Sequence, residues 1–237
     1  SIAARSTGLL AQARLHAPAP PAAPRPSRCR GPGGVQKRSC LPARLAALQA
    51  AHPAAGCEAW ALDEHRLGLK PVSRRVWSKR GERVHAPVHH RYRWLYLYGF
   101  VHPASGRVLW YLMPTINAAT FGQVLAAFAA DAGAGPGKEI LLVLDGAGWH
   151  VAKELAMPNH LHPVFLPPDS PALQPTERLW PLANEAVANR CFEDLAALGE
   201  ALEPHGLALA RQPDLIRGHT LFRWWPQPKT AEEFSRI

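Results

Sequence analysis

Three carboxylates stand where a folded chain could use them for chemistry. Asp145 ends the stretch EILLVLDGAGWH, in which the apolar run Ile140 to Leu144 stops at a carboxylate. Asp63 ends a second apolar run, within GCEAWALDEHRLG, and Glu177 follows the proline-rich segment LPPDSPALQPTE. In α/β folds, ligands and metals gather outside the carboxyl ends of buried strands. If the two strands are parallel neighbours, Asp63 and Asp145 emerge at one sheet edge. Pro167, Pro168, Pro171 and Pro175 stiffen the approach to a predicted helix. Glu177 then lies in its first turn, where the dipole favours the ionised form. Together the three acids make an oxygen cage of the kind that hard cations such as Mg²⁺ or Mn²⁺ take. Two such ions would activate a nucleophilic oxygen and stabilise a leaving oxygen at phosphorus. Asp-Gly is also an ordinary turn signal, and Glu64, beside Asp63, is an equal candidate on chemistry alone.

The elements that must position these acids follow from hydrophobic periodicity. PARLAALQAAH has helical spacing, and GCEAWALDEHRLG becomes apolar and reads as a strand ending at Asp63. RRVWSKRG reads as a short strand and turn. RWLYLYGFVHPASGRVLWYLM is a hairpin around Pro103 to Gly106. NAATFGQVLAAFAADA is helical, Glu139 to Leu144 and HPVFLP are strands, and SPALQPTERLWPLANEAVANR turns into a helix followed by a second one at FEDLAALGEAL. Strands that alternate with helices in this order predict an α/β fold, a mixed sheet with helices on its faces.

Composition sets limits on the rest. The chain has 237 residues, 47% of them hydrophobic, enough for a sizeable core, and no apolar run long enough to span a membrane. Its four cysteines form no CxxC pair, so no zinc pattern or disulfide framework is implied, and a reducing cytoplasmic setting fits. The net charge of +9 is concentrated at the start, since the first 57 residues hold eight basic groups and no acid. The remainder is almost balanced, so global charge is a poor argument for nucleic acid. A local cluster is a better one: nine Lys/Arg and the single acid Glu82 lie between Arg66 and Arg93. Arg74, Arg75, Lys79 and Arg80 within it are candidate phosphate contacts. A solvated basic hairpin is an equally good reading of that cluster.

Four blocks of this chain resemble the bacterial insertion-sequence transposases related to mariner elements, the DDE superfamily endonucleases. They are LDEHRLGLKPVSRRVWSKRG, LLVLDGAGWH, VFLPPDSPALQPTERLWPLANEAVANR and LFRWWPQP, in order from about Leu41 to Pro228. Between Asp145 and Glu177 lie 31 residues, which suits that group. The resemblance implies an RNase H-like fold, with Asp63, Asp145 and Glu177 as catalytic and metal-binding triad for two Mg²⁺ or Mn²⁺ ions. It implies double-stranded DNA, at element ends and target, as the partner, in a bacterial, nucleoid-associated setting. A homodimer is the assembly to test. Three positions depart from the family pattern: Gly146 replaces Asn, Asp169 replaces Tyr, and Gln174 replaces Asn. His150 is an accessory candidate at the scissile phosphate, though a structural hydrogen bond is the stronger expectation. The same holds for Trp224 and Trp225, expected to clamp onto the core rather than stack on bases. His85, His89 and His90 read as scattered surface imidazoles.

Residues 1–40 are rich in Ala, Pro and Arg, lack periodicity, and are expected to be disordered, leaving 41–237 as the catalytic domain. No helix-turn-helix pattern precedes Leu41. One base out of frame, codons for Val35 to Arg38 can encode Phe-Lys-Lys, which related chains carry before this helix; the segment therefore reads as an out-of-frame translation. The leading expectation is a transposase catalytic domain impaired by loss of its DNA reader. The alternatives are a non-catalytic nucleic-acid-binding remnant and a metal-dependent nuclease of the same fold without strand transfer.

Overall fold

The structure is a computed structural model. It describes residues 40–75, 77, 79, 80, 85, 91–150, 155–167 and 170–227. Residues 1–39 and Asp169 lie outside the described residues, as do His89 and His90.

Helix α1 (Cys40–Ala51) leads into a long strand, β1 (Gly56–Gly68). The hairpin β2 (Trp94–His102) and β3 (Arg107–Met113) follows, then α2 (Ala118–Ala132), β4 (Lys138–Leu144) and β5 (Leu161–Phe165). The strands form a five-stranded mixed sheet in the order β3-β2-β1-β4-β5. β1 pairs antiparallel with β2 and parallel with β4, and β4 pairs parallel with β5. The hairpin turn closes at Gly106, whose φ of 73° suits glycine and where a Cβ would stand 1.9 Å from the Pro213 carbonyl oxygen.

Each face of the sheet has its own core. Trp60, Leu62, Phe100, Ile140 and Leu142 face α2, which supplies Phe121, Val124, Leu125 and Phe128 at helical spacing. Asn117 caps that helix by accepting from the Thr120 amide, and Gly133 ends it in the left-handed region. On the other face, Ala59, Ala61, Leu141 and Val143 pack against α1, the 3₁₀ helix Pro175–Leu179, α3 (Trp180–Ala183), α4 (Leu195–Ala210) and α5 (Pro213–Thr220). Trp225 is fully buried in this second core and Trp224 packs beside it, so the clamp reading of that pair holds.

Three expectations need correction. β1 does not end at Asp63: the parallel ladder with β4 stops at Ala61↔Val143, but the antiparallel ladder with β2 carries the strand on to Gly68. The helix after the proline loop is not continuous. It is broken into the 3₁₀ turn Pro175–Leu179, the four-residue α3 and a further 3₁₀ turn, Asn184–Ala186. Pro181 lacks an amide and its ring crowds the preceding turn. The described part of RRVWSKRG forms no strand; Val72 makes only an isolated bridge to Ala188.

Candidate active site

The pleat decides between the neighbouring acids of β1. Successive side chains on a strand point to opposite faces. Asp63 follows Ala59 and Ala61 onto the face that carries Trp180. Its Oδ2 accepts from the Trp180 indole N–H at 2.9 Å, and its Oδ1 from the Glu64 amide at 2.9 Å. Glu64 points the other way, toward α2. There its Oε1 meets His150 Nε2 at 2.8 Å and the Trp149 indole N–H at 3.4 Å. Glu64 is therefore not on the face of Asp63, although sequence chemistry left the two equal.

Asp145 is the first residue after β4. The parity of the Ala61↔Val143 pair places it level with Asp63 and on the same face, at the carboxyl end of the parallel ladder. Its Oδ1 accepts from the Ala147 amide at 3.0 Å and faces His150 Nδ1 at 2.7 Å. The ring of His150 is fully buried against Phe121, with Nδ1 on Asp145 and Nε2 on Glu64. The imidazole thus ties a carboxylate on the edge of the site to one under α2. This is the structural hydrogen bond expected of His150, in duplicate.

Glu177 arrives on the 3₁₀ helix Pro175–Leu179. Gln174 pins that helix to β1, its side-chain amide donating to the Leu62 carbonyl at 2.6 Å. Trp180, three residues beyond Glu177, lies on Gly99, the antiparallel partner of Asp63. A Cβ at Gly99 would stand 2.9 Å from both Trp180 Cη2 and Trp110 Cζ3, so only glycine lets the indole lie this close to the sheet. His65 stacks on the other part of that indole, ring centroids 4.9 Å apart. Trp180 and Gly99 were not singled out from sequence. Their signals were a tryptophan at i+3 from Glu177 and a lone glycine within an aromatic strand.

Electrostatics link the three acids in sequence, Glu177 acting on Asp63 and Asp145 acting on Glu177. Burial pushes the Asp63 carboxyl up to about 7, and the charges of Glu177 and Glu64 add to this against the hydrogen bonds from Trp180 and the Glu64 amide. Glu177 is raised as well, by burial and then by Asp145. Asp145 is lowered, chiefly by its hydrogen bond to His150. Burial alone would lower the His150 imidazolium, but Asp145 and Glu64 outweigh it and raise the group to about 9. A carboxyl raised by burial, with a second acid of the same group raising it further, is a site short of a cation. All-oxygen donors of this charge fit a hard divalent ion, so the residues present suit Mg²⁺ or Mn²⁺. At Gly146 a Cβ would meet nothing within 4 Å, so the missing family Asn leaves open space and displaces no ligand.

The basic segment is solvent-facing where described. Arg74, Arg75, Lys79 and Arg80 are exposed, and so is Trp77. Arg74 is held through its backbone, which donates to Asn189 Oδ1 and accepts from Asn189 Nδ2, and its guanidinium lies 3.7 Å from Glu185. Among the described residues, no helix is long and apolar enough to cross a membrane.

Comparison with known proteins agrees with this architecture. The family model of the DDE superfamily endonucleases matches residues 58–199. The uncharacterized protein y4pE/y4sA of Sinorhizobium fredii is 33% identical over 102 residues, 43% of this chain and 74% of that protein. Among solved structures, the Mos1 mariner paired-end complex with Mn has a TM-score of 0.52 at 14% identity, covering 92% of this chain and 68% of that one. A pre-cleavage Mos1 transpososome has a TM-score of 0.49 at 13% identity, covering 91% and 70%. The sheet is therefore of the RNase H-like kind found in the Mos1 transposase, and with its family model matched over more than half its length, this chain belongs to the DDE superfamily endonucleases.

Proposed function

We propose that this chain is the catalytic domain of an insertion-sequence transposase. In this reading it hydrolyses a phosphodiester at an element end and then directs the freed 3′-hydroxyl to target DNA. What supports it is the register that sets Asp63 of β1 level with Asp145, just after β4, at the carboxyl end of the parallel ladder, with Glu177 on the 3₁₀ helix acting on Asp63 and acted on by Asp145. These residues would hold two Mg²⁺ or Mn²⁺ ions. Such a pair, when bound, polarises the phosphodiester and stabilises charge on the attacking and leaving oxygens. The protein's own contribution is positional. His150 fixes Oδ1 of Asp145, Trp180 fixes Oδ2 of Asp63, and Gln174 seats the turn that carries Glu177. Arg74, Arg75, Lys79 and Arg80 would bind backbone phosphates of duplex DNA, which positions it without reading bases.

Calorimetry and a plasmid-nicking assay test this together. Purified protein is expected to bind Mn²⁺ and nick supercoiled DNA slowly, and Asp145→Ala to abolish both. Unchanged Mn²⁺ affinity in that variant would overturn the ligand assignment. Nicking without joining of a supplied 3′-hydroxyl end would favour the nuclease alternative. Residues 41–237 carry all of this chemistry in our reading, and the coding DNA upstream of Leu41 tests the frame proposal: the alternative frame is expected to encode a helix-turn-helix segment.

A further inference from the structure

At the opposite end of the same sheet face, three imidazoles converge on one buried carboxylate. Glu139, second residue of β4, has a side chain only 3% exposed. His162 Nε2 lies 2.7 Å from its Oε2, while His160 Nδ1 at 2.9 Å and His52 Nδ1 at 3.3 Å face its Oε1. His162 of β5 pairs with Leu141 and so shares the face of Glu139, while His160, the residue before β5, reaches the same carboxylate from outside the strand. His160 holds this position with φ of 65°, a conformation uncommon for a residue with a side chain. His52 comes from the residue after α1, and its ring centroid is 6.0 Å from that of His162. Glu139 and Asp145 are six residues apart on one extended segment, about 20 Å, so this cluster is separate from the carboxylate triad.

One carboxylate needs one positive charge. Three imidazoles around it are more than an ion pair requires, and charging them all would set them against one another. Neutral imidazoles beside a carboxylate are instead the donor set that borderline divalent ions prefer. The ligand atoms offered by His52, Glu139 and His162 all lie within 4.8 Å of one another. Around a tetrahedral zinc with bonds of about 2.0–2.1 Å, ligand atoms sit about 3.3 Å apart, so the two carboxylate–imidazole pairs are already near that spacing and side-chain rotation of the partly exposed His52 brings in the rest.

We propose that His52, Glu139 and His162 form a transition-metal site of the zinc class, with His160 as a positioning residue that orients the Glu139 carboxylate. The ion ties the end of α1 to β4 and β5, a structural role apart from phosphodiester chemistry. A carboxylate held by an outer partner in this way is a recurrent feature of metal sites.

The test uses the full chain, Zn²⁺ in competition with a chromogenic chelator, and Co²⁺ as a visible-absorption probe of coordination by nitrogen ligands. One tight equivalent is expected in the parent protein and in Asp63→Asn/Asp145→Asn, which removes two of the triad's three charges. In His52→Gln/His162→Gln the affinity should fall at least about 100-fold, and in His160→Gln about 10–100-fold. His52 is 41% exposed at a helix end, so His52→Gln alone weakens the site without opening the core, and circular dichroism confirms that each variant is folded. No stoichiometric Zn²⁺ uptake would overturn the proposal, leaving a hydrogen-bonded carboxylate only. So would equal affinity in the folded His52 and His162 variants. Loss of binding in the Asp63/Asp145 variant, with the histidines intact, would move the ion to the triad.

Discussion

Replacing Asp63 by Asn should change how stability depends on pH in the metal-free protein. The Asp63 carboxyl is raised from 3.8 to about 7. A folded pKa above the unfolded one means that the native state keeps a proton the unfolded chain has lost. The stabilisation from that proton is present at low pH and disappears as pH rises from about 4 through 7. Three units correspond to about 4 kcal/mol, reached at a slope approaching about 1.4 kcal/mol per pH unit. Asn carries no titrating charge, so this slope should vanish in Asp63→Asn. The amide offers one acceptor where the carboxylate served two donors, Trp180 Nε1 and the Glu64 amide, which costs about 1–3 kcal/mol at every pH. The quantity to compare is therefore the slope and not the absolute stability. His150, raised to about 9, loses its own contribution between about pH 6.5 and 9, but both proteins share it. Urea unfolding from pH 4 to 8 in a chelator, followed by tryptophan fluorescence, measures the difference. Mn²⁺ at pH 8 should restore the parent protein, by about 2.7 kcal/mol at a hundred times its dissociation constant, and help the variant much less. Parallel pH profiles for the two proteins would refute the reasoning, because Asp63 would then not be the carboxyl that the cluster strains.

Gly99→Ala should destabilise by about 1–3 kcal/mol, since its Cβ would press on Trp180 and Trp110, and the midpoint of urea unfolding reports it. His150→Ala removes the shared partner of Asp145 and Glu64 and leaves Glu64 buried without its 2.8 Å contact. We expect a loss of about 3–5 kcal/mol by denaturant titration, and a weaker Mn²⁺ isotherm at conditions where the variant is folded. Reversing Arg74 and Arg75 to Glu should weaken binding to every duplex alike and reduce the salt slope by about 2, measured by fluorescence anisotropy across salt concentrations.

The parts of the site that were legible in sequence are those set by short-range pattern. The apolar runs before Asp63 and Asp145 announce strands, and equal parity along a parallel ladder follows once the strands are neighbours. What sequence left open between Asp63 and Glu64 depends on which sheet face receives the proline loop, a matter of tertiary packing. The strand's continuation past Asp63 is likewise decided by β2, a partner far along the chain. Pro181 is a visible helix breaker, and it interrupts the helix that the amphipathic spacing of LWPLANEAV predicts. The histidine–glutamate cluster left no motif, because His52, Glu139 and His162 come from three elements and only the fold brings them together.

The adjacent acids of β1 divide the work of one site between two faces of the sheet. Asp63 lies with Glu177 and Trp180, while Glu64 lies under α2 and reaches Asp145 only through His150. Asp63 on β1 and Asp145 just after β4 are thus each oriented by a ring nitrogen, an indole from one layer and an imidazole from the other. A slip of one residue in the β1 register would exchange the two acids, sending Glu64 toward Trp180 and Asp63 toward His150. Asp, one methylene shorter than Glu, would then fall short of the imidazole, and the indole would meet a longer carboxylate. The order Asp-Glu, and not merely the presence of two acids, is what lets the edge of the parallel ladder carry a carboxylate pair that is held from both sides.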